Sequence, residues 1–126
     1  MNEKFLEHAK RKGVDVMKMN IWDFKNYPKA ECYVVCDVLH HIVPNHTKFL
    51  NKLISRKKMV IVCEPFDGQS GPIEHIIGSF LDWDHINPLV RERWYNHAEL
   101  KEFFKKMRFD ELFTIGKDLI AVKYAS

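Results

Sequence analysis

The strongest constraint on the fold is an apolar run, Cys32–Cys36, that ends abruptly in Asp37 and is followed by the pair His40 and His41. A short run rich in β-branched and aromatic residues, with polar groups directly after it, predicts a buried strand whose carboxyl end carries chemistry. A parallel strand of this kind is covered on both faces. The rest of the chain is therefore expected to supply a sheet and helices around it.

Strands and helices alternate in the first half of the chain. A helix is predicted over Glu3–Lys12 and a strand over Val14–Ile21. After Pro44, Asn45 is placed to cap a second helix, and Met59–Cys63 is the next buried strand. The apolar face of that second helix consists of Phe49, Leu50, Leu53 and Ile54. A strand, a helix and a strand without a hairpin turn predict a right-handed βαβ unit with parallel strands.

The second half predicts two further helices and a hairpin. Apolar residues at helical spacing fill Pro72–Leu81, and Asn96 with Glu99 three residues later forms a capping box for the next helix. The predicted buried face of this last helix consists of Leu100, Phe103, Phe104 and Met107. The runs Asp110–Ile115 and Leu119–Tyr124, joined by a Gly-Lys-Asp turn, predict an antiparallel hairpin.

Length and composition predict one packed domain in the cytoplasm. The chain has 126 residues, and 46% of them are hydrophobic, which leaves little room for disorder. No apolar stretch is long enough to span a bilayer, and the first residues lack the apolar core of a signal peptide. A net charge of +3, spread along the chain, does not favour nucleic acid. We therefore expect neither a membrane nor a nucleic acid as partner.

The cysteines and histidines predict no metal site. The three cysteines all fall in predicted buried strands, and an odd number without a secretion signal favours reduced thiols. A zinc site built from Cys36, His40, His41 and His46 is conceivable, but the spacing matches no common zinc pattern.

The strand Cys32–Cys36, the Leu39-His40-His41 turn and the order of elements resemble a class I S-adenosylmethionine-dependent methyltransferase from that family's third strand onward. The resemblance covers the whole chain but about two-thirds of the family's fold. It implies an α/β, Rossmann-like sheet of parallel strands with a carboxyl-terminal antiparallel hairpin and helices on both faces. The family's glycine-rich loop, which follows its first strand, has no counterpart before Cys32. Residues 1–126 thus resemble a single truncated methyltransferase domain.

The resemblance implies where S-adenosylmethionine would bind. Asp23 matches the acidic residue that accepts a hydrogen bond from the adenine amino group, with the rings of Trp22 and Phe24 beside it. The matching positions along the methionine part are Cys36, Asp37 and Leu39. From the residues alone, an ordinary strand end with a solvated Asp23 is the interpretation that we favour.

The same resemblance implies catalytic and acceptor positions. His40 and His41 would face the methyl group, where an imidazole can polarise or deprotonate a nucleophile. We favour the alternative that these histidines cap the following helix. The acceptor pocket, suited to a small molecule, would be lined by Glu64, Phe66, Trp83 and Tyr95. Plain core packing explains the spacing of the aromatic residues better.

Two strands of the family's sheet have no counterpart here, which predicts an uncovered edge. In the family order 3, 2, 1, 4, 5, 7, 6, they would separate Val14–Ile21 from Cys32–Cys36 by a gap of about 14 Å. Direct pairing of those two segments, a second chain, or the rest of a longer protein would close it. We expect association, as a homo-oligomer or with another protein. The expected function is a methyltransferase-like protein with weak or no independent activity; the alternative is a non-catalytic binding or oligomerisation module.

Overall fold

A computed structural model describes residues 3–66 and 94–126 of the chain. Its fold is α/β, with a mixed sheet of four strands. The elements in chain order are α1 (Glu3–Arg11), β1 (Cys32–Cys36), α2 (His46–Ile54), β2 (Met59–Pro65), α3 (His97–Lys106), β3 (Glu111–Ile115) and β4 (Asp118–Lys123). Within these two ranges, no helix combines the length and the apolar character that crossing a membrane requires.

The strand order in the sheet is β1-β2-β4-β3. Strand β1 pairs in parallel with β2, from Cys32 opposite Met59 to Cys36 opposite Cys63, and α2 connects the two strands. The last strand, β4, pairs antiparallel with β2 on one side and with β3 on the other. The parallel strands and connecting helix of the predicted βαβ unit and the predicted terminal hairpin are therefore confirmed.

Helices α2 and α3 begin where the capping residues in the sequence predict them to begin. The capping box at α3 is confirmed, because the Asn96 side chain accepts from the Glu99 N–H at 2.9 Å and the Glu99 carboxylate accepts from the Asn96 N–H at 2.8 Å. Helix α2 begins directly after Asn45, as predicted, but the Asn45 side chain makes no capping hydrogen bond. The expected helix over Pro72–Leu81 lies outside the described residues.

One face of the sheet carries the core. Val35, Val62 and Ala121 are cross-strand neighbours on this face, and all are buried. The helices contribute Phe49, Leu50 and Leu53 from α2 and Leu100 and Phe104 from α3 to the same core. The expected arrangement of helices on both faces is not seen in the described ranges, since α2 and α3 share one face and α1 buries no residue.

The opposite face of the sheet is apolar and open within the described ranges. Cys36, Cys63, Ile120 and Phe113 are cross-strand neighbours on this face, and Phe113 is exposed. Val34, in the middle of β1, is 66% exposed. Among residues 3–66 and 94–126, β1 has β2 as its one neighbour. Within the described part of the chain, the apolar sheet face thus ends at a strand edge that has no partner strand.

The predicted strand over Val14–Ile21 is wrong. Residues 14–20 form no regular structure, and Val14 and Met17 are exposed. A strand needs the backbone of another strand beside it and a face for its apolar side chains, and this segment has neither in the described ranges. Direct pairing of Val14–Ile21 with β1 is therefore not the way in which the edge is covered.

Asp110 fixes the end of the hairpin and gives a testable pH dependence. Its carboxylate accepts from the backbone N–H of Tyr124 at 2.8 Å and lies 3.3 Å from Nζ of Lys123. The hydrogen bond from Tyr124, followed by the interaction with Lys123, lowers the pKa of Asp110. A lowered pKa means that Asp110 stabilises the fold above the ordinary pKa of Asp, and that this contribution is lost as the pH falls through the lowered value.

We expect Asp110→Asn to lower the urea midpoint of unfolding at pH 7, and to differ less from the wild type at a pH of about 2, because the charged fraction of Asp110 decreases as the pH falls. Equilibrium urea unfolding at the two pH values measures the difference. The control is Asp15→Asn, a change at an exposed residue. Equal midpoints for Asp110→Asn and the wild type at pH 7 would contradict the role of this carboxylate.

Candidate functional site

A buried carboxylate, Glu64, lies at the carboxyl end of β2, beside the turn that follows β1. Glu64 is 0% exposed. Its Oε1 accepts hydrogen bonds from the backbone N–H groups of Val38, at 2.7 Å, and Leu39, at 2.8 Å. Its Oε2 lies 2.9 Å from Nδ1 of His40. A buried carboxylate is tolerated only when it is hydrogen-bonded, and both oxygens of Glu64 meet that requirement.

The turn after β1 is shaped around these contacts. Asp37 has a φ of 58°, in the left-handed region that Asp adopts more readily than most residues, and its N–H donates to the Cys63 carbonyl at 3.0 Å. Residues Leu39–His41 form a 3-10 turn that places the Leu39 side chain in the core. The chain therefore passes from strand to core within three residues, and the side chains of Asp37, His40 and His41 gather at the strand end.

Both ring nitrogens of His40 have a carboxylate nearby. An ionised carboxylate only accepts hydrogen bonds, so Nδ1 of His40 carries the proton that faces Glu64. In the neutral ring, Nε2 then holds the lone pair, and this atom lies 3.5 Å from Oδ1 of Asp37. The His40 ring centroid is 3.9 Å from that of His41 and 5.8 Å from that of Trp94. Nε2 of a neutral His40 with this tautomer is thus an acceptor at the edge of the site.

The side chains of Asp37, His40 and His41 form a converging group. One donor atom from each lies within 4.8 Å of the others. Asp37 and His41 are exposed and His40 is partly buried, so the group is open to solvent on one side. Carboxylate and imidazole groups in this arrangement can exchange protons or coordinate a cation.

Aromatic residues pack behind this group. Trp94 is buried, and its indole N–H donates to the carbonyl of Pro65 at the end of β2. The hydroxyl of Tyr95 lies 3.1 Å from Nε2 of His46, and the Tyr95 ring stacks on Phe103 of α3 at 5.3 Å. Tyr95, expected in the acceptor pocket, is therefore held between α2 and α3.

The residues expected around adenine lie in a cluster with α2. The rings of Trp22 and Phe24 pack against Phe49, at 5.8 Å and 5.7 Å. The carboxylate of Asp23 accepts from the side-chain amide of Asn26 at 2.7 Å. The guanidinium of Arg56, beyond the end of α2, donates to the Phe24 carbonyl. These contacts attach residues 22–24 to α2.

Of the other expected site residues, some lie at the strand ends and one lies outside the described residues. Cys36 is exposed at the end of β1, next to Asp37. Phe66 follows β2, and its ring lies 4.6 Å from that of His97. Trp83 lies outside the described residues.

Sequence reasoning missed the contact of Glu64 with the turn after β1. The phase of β2 contained the necessary signal: Val60, Val62 and Glu64 alternate on one face, and all three are buried. A carboxylate in phase with two core valines must have a hydrogen-bonding partner, and the backbone N–H groups of the adjacent parallel strand's turn are the nearest donors.

We expect Glu64→Ala to lower the free energy of unfolding by about 2 to 6 kcal/mol, because two buried N–H groups lose their acceptor at about 1 to 3 kcal/mol each. Urea unfolding followed by circular dichroism measures this change. The matched control is Glu102→Ala on the exposed side of α3, for which we expect a change within about 0.5 kcal/mol. Equal losses for the two variants would show that Glu64 does not hold the turn.

Comparison with known proteins identified no relative of this chain. No protein-family model matches the sequence. Neither the curated proteins nor the solved structures include a significant match. The function is therefore inferred from the fold and from the geometry at the ends of β1 and β2.

Proposed function

We propose that the chain is a truncated or incomplete S-adenosylmethionine-dependent methyltransferase-like protein with weak or no activity of its own. The observation that carries this proposal is the strand order β1-β2-β4-β3, in which the last strand inserts antiparallel between β2 and β3. In the resembled family, strands 4, 5, 7 and 6 are adjacent in this same order. The parallel pair β1 and β2 corresponds to strands 4 and 5.

The position of the polar group supports the same proposal. Open α/β sheets bind ligands at the carboxyl ends of their parallel strands. Asp37, His40 and Glu64 lie at these ends, where Nδ1 of His40 is 2.9 Å from Oε2 of Glu64 and its Nε2 is 3.5 Å from Oδ1 of Asp37. In the proposed function, the turn over Asp37–His41 lies along the methionine part of the cofactor, and His40 faces the acceptor.

Cofactor binding by this chain alone is expected to be weak. The glycine-rich loop and the acidic ribose ligand of the family have no counterpart in the sequence. Each lost charge-assisted hydrogen bond weakens binding by about 1.5 to 3 kcal/mol, so several together lower the affinity by orders of magnitude. The chain therefore needs another chain, or a further segment, to complete a methyltransferase site.

We expect S-adenosylhomocysteine at millimolar concentration to shift the amide resonances of residues 36–41 in a ¹⁵N-labelled sample. Adenosine alone is expected to leave that turn unchanged, because it lacks the methionine part. Two-dimensional NMR titration measures both. If S-adenosylhomocysteine shifts no amide in this turn up to several millimolar, the methyltransferase proposal is wrong for this chain.

The adenine position has its own test. If Asp23 accepts a hydrogen bond from adenine, we expect Asp23→Ala to lower the affinity for S-adenosylhomocysteine at least tenfold, as measured by the titration of the amide shifts at residues 36–41. Its matched control is Asp15→Asn, at an exposed residue, which is expected to leave the titration unchanged. Unchanged binding in Asp23→Ala would leave residues 22–24 with their packing role against α2.

The open sheet face favours a second function, association through β1. Val34 is exposed in the middle of β1, whose one neighbour among the described residues is β2, and Ile115 is exposed on the far strand of the same sheet. An unpaired edge next to an apolar face is a template for pairing with another chain. A second copy of this chain supplies such a strand with no further component.

We expect a concentration-dependent dimer that Val34→Lys dissociates, since a charge on β1 disfavours edge pairing. Sedimentation equilibrium measures the molar mass, and Val14→Lys, at an exposed residue outside the sheet, is the control. A monomer at all concentrations for the wild-type chain contradicts self-association.

Two of the three thiols on this face, those of Cys36 and Cys63, give a second measurement. Cys36 is exposed, whereas burial, followed by the neighbouring Cys36, raises the pKa of Cys63 to about 11. At neutral pH, iodoacetamide is therefore expected to label Cys36 before Cys63. In a dimer built on β1, labelling of Cys36 slows as the protein concentration rises.

A further inference from the structure

We propose that Asp37, His40 and His41 bind a divalent transition-metal ion of the zinc class, with Glu64 as the residue that orients His40. This inference goes beyond the methyltransferase proposal and does not depend on it. The group has one carboxylate and two imidazoles, which is a ligand set suited to Zn²⁺ and unlike the all-oxygen sets that Mg²⁺ and Ca²⁺ prefer.

The distances within the group fit a shared ion. Tetrahedral zinc with bonds of about 2.0 to 2.1 Å places neighbouring ligand atoms about 3.3 Å apart. Nε2 of His40 and Oδ1 of Asp37 are 3.5 Å apart, which is long for a hydrogen bond. The donor atom of His41 lies within 4.8 Å of both, which places a third ligand beside the pair.

The contact between Glu64 and His40 is the one that metal-binding histidines make. A ligating imidazole usually donates its other N–H to a carboxylate, which fixes the tautomer and the direction of the lone pair. Here Oε2 of Glu64 accepts from Nδ1 of His40 at 2.9 Å. Oε1 of the same carboxylate is held by two backbone N–H groups, so Glu64 cannot rotate away. The lone pair on Nε2 therefore faces Asp37.

The exposure of the group defines the kind of metal site. Three protein ligands with an open position are typical of catalytic zinc, whereas structural zinc sites are closed by four. Asp37 and His41 are exposed, which gives an ion access and leaves room for one more ligand. That ligand would be an oxygen donor, either water or a hydroxyl group of a small molecule.

An ion pair is the competing explanation of the same geometry. A protonated His40 between Asp37 and Glu64 would also bring two carboxylates to one imidazole. The 3.9 Å between the rings of His40 and His41 is compatible with both explanations, since the two residues are adjacent in the Leu39–His41 turn. Metal binding separates the two explanations, because the ion pair alone has no affinity for zinc that depends on His41.

The test uses the full chain after removal of metal with a chelator. Titration with Co²⁺, followed by its visible absorption, and calorimetric titration with Zn²⁺ should give one ion per chain. A large excess of Mg²⁺ should not compete. Failure to bind Zn²⁺ at millimolar concentration would overturn the proposal, and would leave the S-adenosylhomocysteine titration unaffected, so the two proposals fail separately.

Two variants at exposed ligands test the assignment without disturbing the core. His41→Ala and Asp37→Asn should each weaken Zn²⁺ binding at least tenfold, and Asn retains the left-handed backbone at position 37. The control His8→Ala removes an exposed histidine from α1, and Cys36→Ser tests zinc capture by a thiol. Both controls should bind as the wild type does. Unchanged binding in His41→Ala and Asp37→Asn, or its loss in Cys36→Ser, would show a different site.

Glu64→Gln tests the positioning role of Glu64. The Gln oxygen can still accept from the backbone N–H groups, but its NH₂ group then faces Nδ1 of His40 and favours the tautomer protonated at Nε2. We expect about 10- to 100-fold weaker Zn²⁺ binding. In metal-free protein, ¹⁵N shifts of the imidazole should show the proton on Nδ1 in the wild type and on Nε2 in Glu64→Gln. An unchanged tautomer with unchanged affinity would remove Glu64 from the site.

Discussion

The buried carboxylate of Glu64 is the interaction on which the rest of the site depends. It holds the turn after β1 through Val38 and Leu39 and orients the ring of His40. Removing any of these partners leaves a charge or a dipole in a dry environment, which is expensive. By contrast, the exposed pair of Lys58 and Glu31 is surrounded by water and contributes little to stability. The conformation of the turn therefore depends on the hydrogen bonds of one buried side chain.

Because the hydrogen bonds of Glu64 join the ends of two parallel strands, the geometry of the site depends on the βαβ unit remaining folded. Strand β1 reaches Glu64 only while its register with β2 keeps Cys36 opposite Cys63. That register depends on α2, which covers the two strands with Phe49, Leu50 and Leu53. A slip of one residue would turn Glu64 to the open face and Cys63 to the core. Packing far from the histidines thus determines their geometry.

Sequence patterns within short segments predicted most of the fold. They did not predict the contacts between segments that are distant in the sequence. The capping box of Asn96 and Glu99, the βαβ unit and the hairpin are each encoded within a short segment, and all are confirmed. Val14–Ile21 has strand-like alternation but meets no partner strand among the residues that the structure describes, so the predicted strand is wrong. Likewise, the contact from Glu64 to Val38 spans 26 residues of sequence. Spacing does not reveal which turn a buried carboxylate will meet.

The open sheet face and the polar group are neighbours, and this links association to chemistry. Cys36 lies on the open face and Asp37 follows it directly, so a chain that pairs with β1 would end beside the exposed side of Asp37 and His41. Groups from that chain could then fill the remaining position of the site or exclude water from it. Excluding water strengthens every electrostatic interaction within the group. A chain whose site is open when alone and enclosed when paired would therefore depend on its partner for activity.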